Sequence, residues 1–438
     1  MRMKSLRLGL PLSCAAAVLL TVGHGSAALG QAAAMVTLEG AVRDALDWHP
    51  AIVQAVGEMN ANGEAIAEAR AGYSPQISAG LGSGFDNRVS GTWRPRPQVG
   101  ASQMLFDFGK VRSAVDYARF GHQESQAELL VTVDTLVRDT GLAVIELQRA
   151  AALRHVAQEQ LASIGQIAQL VQDRFETGAT TQSDALQAKA RVDGAKATLV
   201  EIEAEQRRWR SNLAYLLNHD VSADAVAPDV PAWLTPACKR PPPDWDEVPQ
   251  VAAADARTGR AGAELQRRRA ERLPTISLGG DASTDVASPF GDRSIYNFGL
   301  RLTGNVFGGG VTKARVRGAD FALEGARAAA QRARLDSQQR LAEAQQQVTS
   351  LSSLTGTLSE RELAMRDTGK LYRMQYLEMG TRTLVDLLNA EQELHGVRFQ
   401  AVNTEHDLRR LRLDCLFYSG DLRRAFRLTG TNFRGVTL

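Results

Sequence analysis

The sequence predicts an α+β membrane protein built from two internal repeats, in which pairs of short strands lead into very long helices. Three observations carry this. Two Pro-free tracts, from about Val111 to Phe175 and from about Val311 to Leu377, place apolar residues at spacings of three, four and seven, as in Val133, Val137, Ala143, Val144, Leu147 and Ala151, and again in Leu341, Ala344, Val348, Leu351, Leu354 and Leu358. That is coiled-coil periodicity, and helices of this length run to roughly 100 Å at 1.5 Å per residue. Each tract is preceded by period-two alternation. Finally, the same motifs recur about two hundred residues apart: "RAGYSPQIS" (Arg70–Ser78) matches "RAERLPTIS" (Arg269–Ser277), "LFDFGKV" (Leu105–Val111) matches "VFGGGVT" (Val306–Thr312), and "TGATTQSDALQAKARV" (Thr177–Val192) matches "MGTRTLVDLLNAEQEL" (Met379–Leu394).

In chain order, Arg2, Lys4 and Arg7 precede an apolar run, Leu8–Val22, too short for a comfortable membrane span, and small residues follow. Residues 1–34 therefore read as a signal peptide, cleaved after Gly30 or Ala34. Cys14 lies inside the apolar run after "PLS", a poor lipidation context. The first repeat spans 35–226. In it Ile77, Ala79, Leu81 and Phe85 alternate with Ser78, Gly80, Gly82 and Gly84. "RVSGTWRPRP" then separates this strand from a poorer one, Val99–Phe108, whose apolar face is broken by Gln103 and Asp107. A Pro-rich linker, 227–245, leads to the second repeat, 246–438. There Ile276, Leu278, Gly280 and Ala282 alternate with Ser277, Gly279 and Asp281. After the turn "SPFGDRS", Phe298, Leu300, Leu302 and Val306 alternate with Asn297, Gly299, Arg301 and Thr303. Phe85, Trp93 and Tyr296 are candidates for an aromatic girdle.

Composition excludes several classes. A net charge of +2 gives no bulk electrostatic case for nucleic acid. "GGG" (Gly308–Gly310) lacks the Lys-Ser/Thr of a phosphate loop, and His49, His122, His155, His219, His395 and His406 lack metal-site spacing. His49 reads as a helix-surface residue beside a Pro turn. "RRWR" (Arg207–Arg210) and "LRRLRL" (Leu408–Leu413) read as solvated or interhelical charge. With no nucleophile–base pair either, no enzyme activity, cofactor or metal is expected. Cys238 and Cys415 remain after cleavage, and either a disulfide or two free buried thiols fits the sequence.

No later segment has the ~18 consecutive apolar residues of a transmembrane helix, so membrane insertion requires a β-barrel. Two strand pairs cannot close one, since the smallest need about eight strands. Several chains must share a barrel whose polar face lines water, with the helices extending the lumen away from the membrane.

The signal peptide, "ALDWHPAI" (Ala45–Ile52), the Pro before each first strand, "LFDFGKV" and "GTRTLVDLLNAEQEL" together resemble the TolC-type outer-membrane efflux proteins. The resemblance covers nearly the whole mature chain and is most similar to the type I secretion branch. It implies a homotrimer with a twelve-stranded barrel in outer-membrane lipid, four strands per chain, and a periplasmic α-helical tunnel. Its implied partners are a periplasmic adaptor and an inner-membrane ABC or other exporter. Drug efflux is the alternative within this class. A periplasmic coiled-coil adaptor competes less well, having no use for lipid-grade strands.

The gate is expected where the helices turn back, at Gly178 and Gly380. The resemblance implies pore-lining or gate-linking roles for Arg382, Asp386 and Asn389, and a bracing role between coiled coils for Asp184. Three Asp386 carboxylates around an axis would attract cations and titrate high. An Asp near a helix N-terminus also commonly serves the helix itself, and that use stays open at both positions. Two departures stand out: Asn389 replaces a second Asp common in the family, and the family's gate-linking Tyr falls at Leu377, with Tyr376 beside it.

Overall fold

The computed structural model describes residues 35–84, 93–222, 226–284, 286, 294–305, 307–433 and 435–437. The expected signal peptide with Cys14, Phe85, Val306 and most of both inter-strand turns lie outside these residues. From Val36 onward the chain forms one unit. Its first half runs α1 (Leu38–Trp48), α2 (Pro50–Arg70), β1 (Gln76–Gly84), β2 (Arg94–Phe106), α3 (Lys110–Glu176) and α4 (Gln182–Leu217). Its second half runs α5 (Pro249–Ala270), β3 (Thr275–Ser283), β4 (Ile295–Thr303), α6 (Val311–Met374) and α7 (Leu384–Tyr418), then a short α8 (Leu422–Ala425) and a small hairpin, β5 (Asn432–Phe433) and β6 (Val436–Thr437).

Local chemistry sets the element boundaries. Pro50 opens α2, and His49 caps it, Nδ1 accepting from Ala51 N–H at 3.3 Å. The chain enters α3 and α6 through Gly109 (φ +92°) and Gly310 (φ +87°), left-handed positions that exact little from glycine. Asp107 accepts from Gly109 N–H with Oδ1 at 2.9 Å and from Val111 N–H with Oδ2 at 2.6 Å. The residue that the alternation reads as a flaw in β2 therefore lies past the strand and caps α3.

The four long strands form one antiparallel sheet in the order β1-β2-β3-β4. β2 begins at Arg94, five residues before the expected Val99. The prolines allow this because the carbonyls of Pro97 and Pro95 accept from Thr284 and Val286 N–H at 3.2 and 3.4 Å, beyond the end of β3, where no ladder donor is required of them. The register separates a mainly apolar face, interrupted by Gln103, from a mainly polar one. Ile77, Leu81, Val99, Leu278, Tyr296, Phe298, Leu300 and Leu302 share one face, and Ser78, Gln98, Gly100, Asp281, Asn297 and Arg301 the other. The apolar face is bare: Phe298 is 86%, Ile77 77% and Leu300 73% exposed.

α3 is the hub of the helical part and packs against α1, α2, α4, α5 and α7. Its Val133, Val137, Ala143, Val144 and Leu147 are fully buried, meeting Leu46 and Ile52, Leu213, and Leu413 and Leu416. The α3–α5 contact is close: a Cβ at Gly259 would stand 2.4 Å from the Phe120 ring, and Arg257 and Arg260 of α5 bond Glu124 at 2.7 and 3.1 Å. α6 differs. Leu341, Ala344 and Leu358 are buried along one stripe, while Phe321, Leu335, Leu363 and Leu371 are exposed.

The Pro-rich linker is packed. Leu234 and Ala237 join the main core, and Trp233 Nε1 donates to Glu39 Oε1 at 2.8 Å while stacking edge-on against Phe426. Of the two alternatives for the cysteines, the structure shows the disulfide: Cys238 of the linker is bonded to Cys415 of α7, with Cα atoms 5.3 Å apart, beside Leu341, Ala344 and Leu411. The bridge spans 177 residues and so encloses α5, β3, β4, α6 and nearly all of α7.

In the chain-entropy model, closing a loop of that length contributes about 5 kcal/mol. Cys415→Ser should lower the thermal midpoint in detergent, and reductant should lower the wild type to the same value while leaving the variant unmoved. A wild-type midpoint indifferent to reduction would show that the clamp does not support the fold.

Candidate functional site

The two helical hairpins of the chain meet at one end. Ile167 and Val171 of α3, Ala188 of α4, and Leu384, Leu387 and Leu388 of α7 form a buried cluster there that includes Tyr376. The two turns around this cluster close differently. At the first, Gly178 (φ +75°) follows α3, its N–H bonds Phe175 C=O at 2.9 Å, and Ala179 N–H bonds Arg174 C=O at 2.7 Å. This is a Schellman closure, five residues back. At the second, a π turn over Gln375–Met379 precedes Gly380 (φ +63°), and Thr381 N–H reaches Gln375 C=O, six residues back, at 3.2 Å. The second hairpin therefore holds one extra residue in its last turn. Tyr376 lies within that turn and is 8% exposed in the cluster, and Leu377 packs partly buried against the same cluster.

Both aspartates sit at the third position of a helix behind a Thr cap. Thr181 Oγ1 accepts from Asp184 N–H at 3.2 Å, and Thr383 Oγ1 from Asp386 N–H at 3.2 Å. In return Asp184 Oδ2 accepts from Thr180 Oγ1 at 2.6 Å and Thr181 N–H at 3.4 Å. Asp386 Oδ2 accepts from Thr383 Oγ1 at 2.9 Å and Thr383 N–H at 3.2 Å. These are capping boxes, each satisfying helix-end donors reciprocally. The helix-stabilising use left open by the sequence is thus filled at both positions. All the capping bonds fall on Oδ2, leaving Oδ1 outside the box.

The remaining expected residues are placed as follows. Arg382 is exposed and folds back over its own hairpin, Cζ 4.4 Å from the Tyr372 ring centroid and Nε donating to Gln375 Oε1 at 3.2 Å. Asn389 is exposed and its Oδ1 accepts from Arg191 Nη2 at 3.1 Å; Arg191 also bonds Gln392. Arg191 was missed by sequence reasoning, although it lies seven residues after Asp184, two turns along the same helix face. Arg174, stacked 5.2 Å from the Tyr376 ring centroid, was missed too. Both tie the first hairpin to the second.

Electrostatically, the Thr180 hydroxyl holds the Asp184 carboxyl below its usual range, with Thr181 assisting. The Thr383 hydroxyl and N–H do the same for Asp386, and the Arg382 charge adds to them. Any rise from facing carboxylates in an assembly works against this lowering. Above the cluster, burial pushes His395 down to about 4, so its ring is neutral beside Glu391. Among the described residues no group of three or more His, Cys, Asp or Glu side chains is placed to hold a metal.

A bare four-stranded antiparallel sheet standing on helices of about 100 Å defines a class: the protomer of an outer-membrane channel. The chain superposes on the outer membrane protein VceC of Vibrio cholerae with a TM-score of 0.77 at 18% identity, covering 87% of this chain and 96% of that one. The model of the outer membrane efflux protein family matches residues 41–219 and 246–413, and the chain belongs to that family. Among relatives, the outer membrane efflux protein BepC of Brucella suis is 26% identical over 90% of this chain and 87% of its own length. The alkaline protease secretion protein AprF of Pseudomonas aeruginosa is 26% identical over 76% of this chain and 71% of its own.

The capping boxes give a prediction. Thr383→Ala should speed amide exchange in the first turn of α7 roughly fivefold, the effect of a typical lost N-cap. The pH dependence follows from the lowered carboxyl ranges. A carboxyl depressed on folding adds stability above its unfolded value of about 3.9 and loses it as pH falls through the folded value. Protection at both turns should hold from neutral pH down to about 4 and drop below that. Equal protection in wild type and variant would show that the box does not stabilise the turn.

Proposed function

We propose that three copies of this chain close one twelve-stranded barrel in the outer membrane and act as the exit duct of a tripartite export system. The carrying observation is the sheet: β1 and β4 have open outer edges, and one face is mainly apolar and bare. In lipid such edges must find partners, and the exposed stripe of α6 supplies the matching contact surface below. A periplasmic adaptor joins the helical end to an inner-membrane transporter. The duct forms no covalent bond and hydrolyses nothing; its partners supply the energy.

Within this class, the reading adopted is type I secretion, in which an ATP-driven ABC exporter passes unfolded protein. The "VDLLNAEQEL" stretch (Val385–Leu394) and the relationship to AprF support it. The efflux reading is favoured by BepC, whose similarity spans more of both chains. Removing the gene and assaying the culture for lost protein export, against raised sensitivity to small toxic compounds, separates the two.

At the tip, Asp386 is assigned to the pore axis through Oδ1, Asn389 to a neutral second ring, Arg382 to the closed-state link, and Asp184 to bracing the first hairpin. Purified protein should run as a trimer and form one type of channel in planar bilayers; a monomer that never conducts would overturn the duct. Asp386→Ala should lower cation preference and weaken block by multivalent cations, and unchanged selectivity would remove Asp386 from the pore. Arg382→Ser should raise conductance. Wild-type conductance would leave Arg382 as a brace on Tyr372 alone.

A further inference from the structure

We propose that the inner face of the barrel carries a cationic belt centred on Arg301, which makes the outer end of the duct favour anions, opposite in sign to the acidic tip. The inference rests on the barrel reading above, because the belt lies on the sheet face opposite the apolar one.

The register builds the belt. Ser78, Gly100, Asp281 and Asn297 form one row across all four strands. Gly100 leaves room there for its neighbours: a Cβ at that position would stand 2.9 Å from Asp281 Oδ1 and 3.1 Å from Ser78 Oγ. Arg301 lies four residues along β4 from Asn297, on the same face. Its guanidinium reaches back over the Gly279–Gly299 pair to Asp281, Nη2 3.5 Å from Oδ2. Two glycines in the intervening row leave the sheet surface flat enough for the arginine to lie along it. Arg96, paired with Gly82, stands on this face beyond Gln98. At the other end, Lys110 Nζ donates to Thr275 Oγ1 at 2.8 Å, and Thr275 belongs to the same alternating set as Ser277, Gly279 and Asp281.

Charge decides the sign. Around Arg301 on this face, among residues with described side chains, Arg301 and Lys110 are cationic and Asp281 is acidic, so two positive charges against one negative leave a net +1 per chain. Arg301 and Asp281 are 59% and 57% exposed at their side chains, so the pair is wet and its partial neutralisation is weak. A ring of fixed charge inside a low-dielectric wall raises the local concentration of counter-ions, and it does so most when the Debye length approaches the lumen radius. The chain would thus present a cation-attracting ring at the periplasmic tip and an anion-attracting belt at the exit. Cargo passing outward meets a change of sign, which favours forward transfer of carboxylate-bearing segments out of the tip and into the barrel.

The test is reversal potential in a KCl gradient at low ionic strength, below about 0.1 M, where the Debye length is roughly 10 Å or more. Arg301→Gln should raise the K⁺/Cl⁻ permeability ratio by roughly twofold or more, Asp281→Asn should lower it, and Arg301→Lys should keep the wild-type value. Opposite shifts from two neighbouring charge removals are not the signature of a distorted barrel, and trimer formation is checked for each variant. Channels whose ratio is the same in wild type, Arg301→Gln and Asp281→Asn would overturn the belt while leaving the duct intact. Absence of channels in the wild type would instead overturn the duct.

Discussion

The open edges of the four-stranded sheet constrain everything else in this chain. In hydrocarbon, each unpaired backbone N–H or C=O costs several kcal/mol, and no water is at hand to relieve it. β1 and β4 are nine residues each, a length that spans the membrane when tilted, so their outer edges lie at the depth where pairing is obligatory. Neither long helix is placed to cover an edge, because each leaves the sheet at its base through Gly109 or Gly310. Only further copies of the same sheet satisfy the ladder. Once copies are required, the alternation follows: one face must tolerate lipid and the other water, and a helix that descends beside a neighbouring copy stays apolar on its outer stripe. The bare Phe321, Leu335, Leu363 and Leu371 of α6 contrast with the deeply buried α3 for that reason.

At the far end the two hairpin turns of the same chain close in different backbone patterns. The first turn closes in the Schellman pattern, Phe175 C=O taking Gly178 N–H and Arg174 C=O taking both Ala179 N–H and the Thr177 hydroxyl. In the second turn, Gly380 and Thr381 N–H both converge on the single carbonyl of Gln375. Single π turns of this kind are frequent at functional sites. The ties between the hairpins are side-chain ones: Arg191 to Asn389 and Gln392, Arg174 on Tyr376, and the apolar cluster itself. Each hairpin is also packed on itself, α3 on α4 and α6 on α7, with Arg361–Glu393 and Arg382 over Tyr372 adding ties within the second.

Much of this architecture was legible in the sequence because it rests on periodicity. Val133 to Leu147 and Leu341 to Leu358 mark buried stripes by spacing alone, and Ile276 to Leu302 mark a lipid face by alternation. What was not legible depends on local bonding that no period records. Asp107 read as a flaw in a strand because its role as a cap needs the geometry of Gly109 and Val111. Arg94–Pro97 read as a turn because proline signals one, and only the end of β3 explains why the strand tolerates them. The π turn before Gly380 has the same origin, since no period records the extra residue that places Tyr376 within it. Arg191 was missed because an arginine on an amphipathic helix carries no mark of its partner, which here comes from the other repeat.

The duplicated T-x-x-D motif can now be separated into what the helix needs and what the assembly needs. Every helix that begins after a tight turn leaves amide donors without partners, and a Thr with an Asp three residues on satisfies two of them. That requirement is the same in both repeats and is enough to account for Asp184 and Asp386 at matching positions. It also fixes each side chain in one orientation, because Oδ2 is held by the cap. The second oxygen is then aimed by the helix, not by its own rotamer freedom, so any function it has depends on where the helix end lies. Here the two sites diverge. Asp184 takes its hydroxyl from Thr180, the residue before its cap, whereas Asp386 takes it from the cap Thr383 itself and has the Arg382 charge near it and a neutral Asn389 one turn below. A carboxylate locked in place by its own helix suits a ring around an axis, since it does not have to lose side-chain freedom to face its copies.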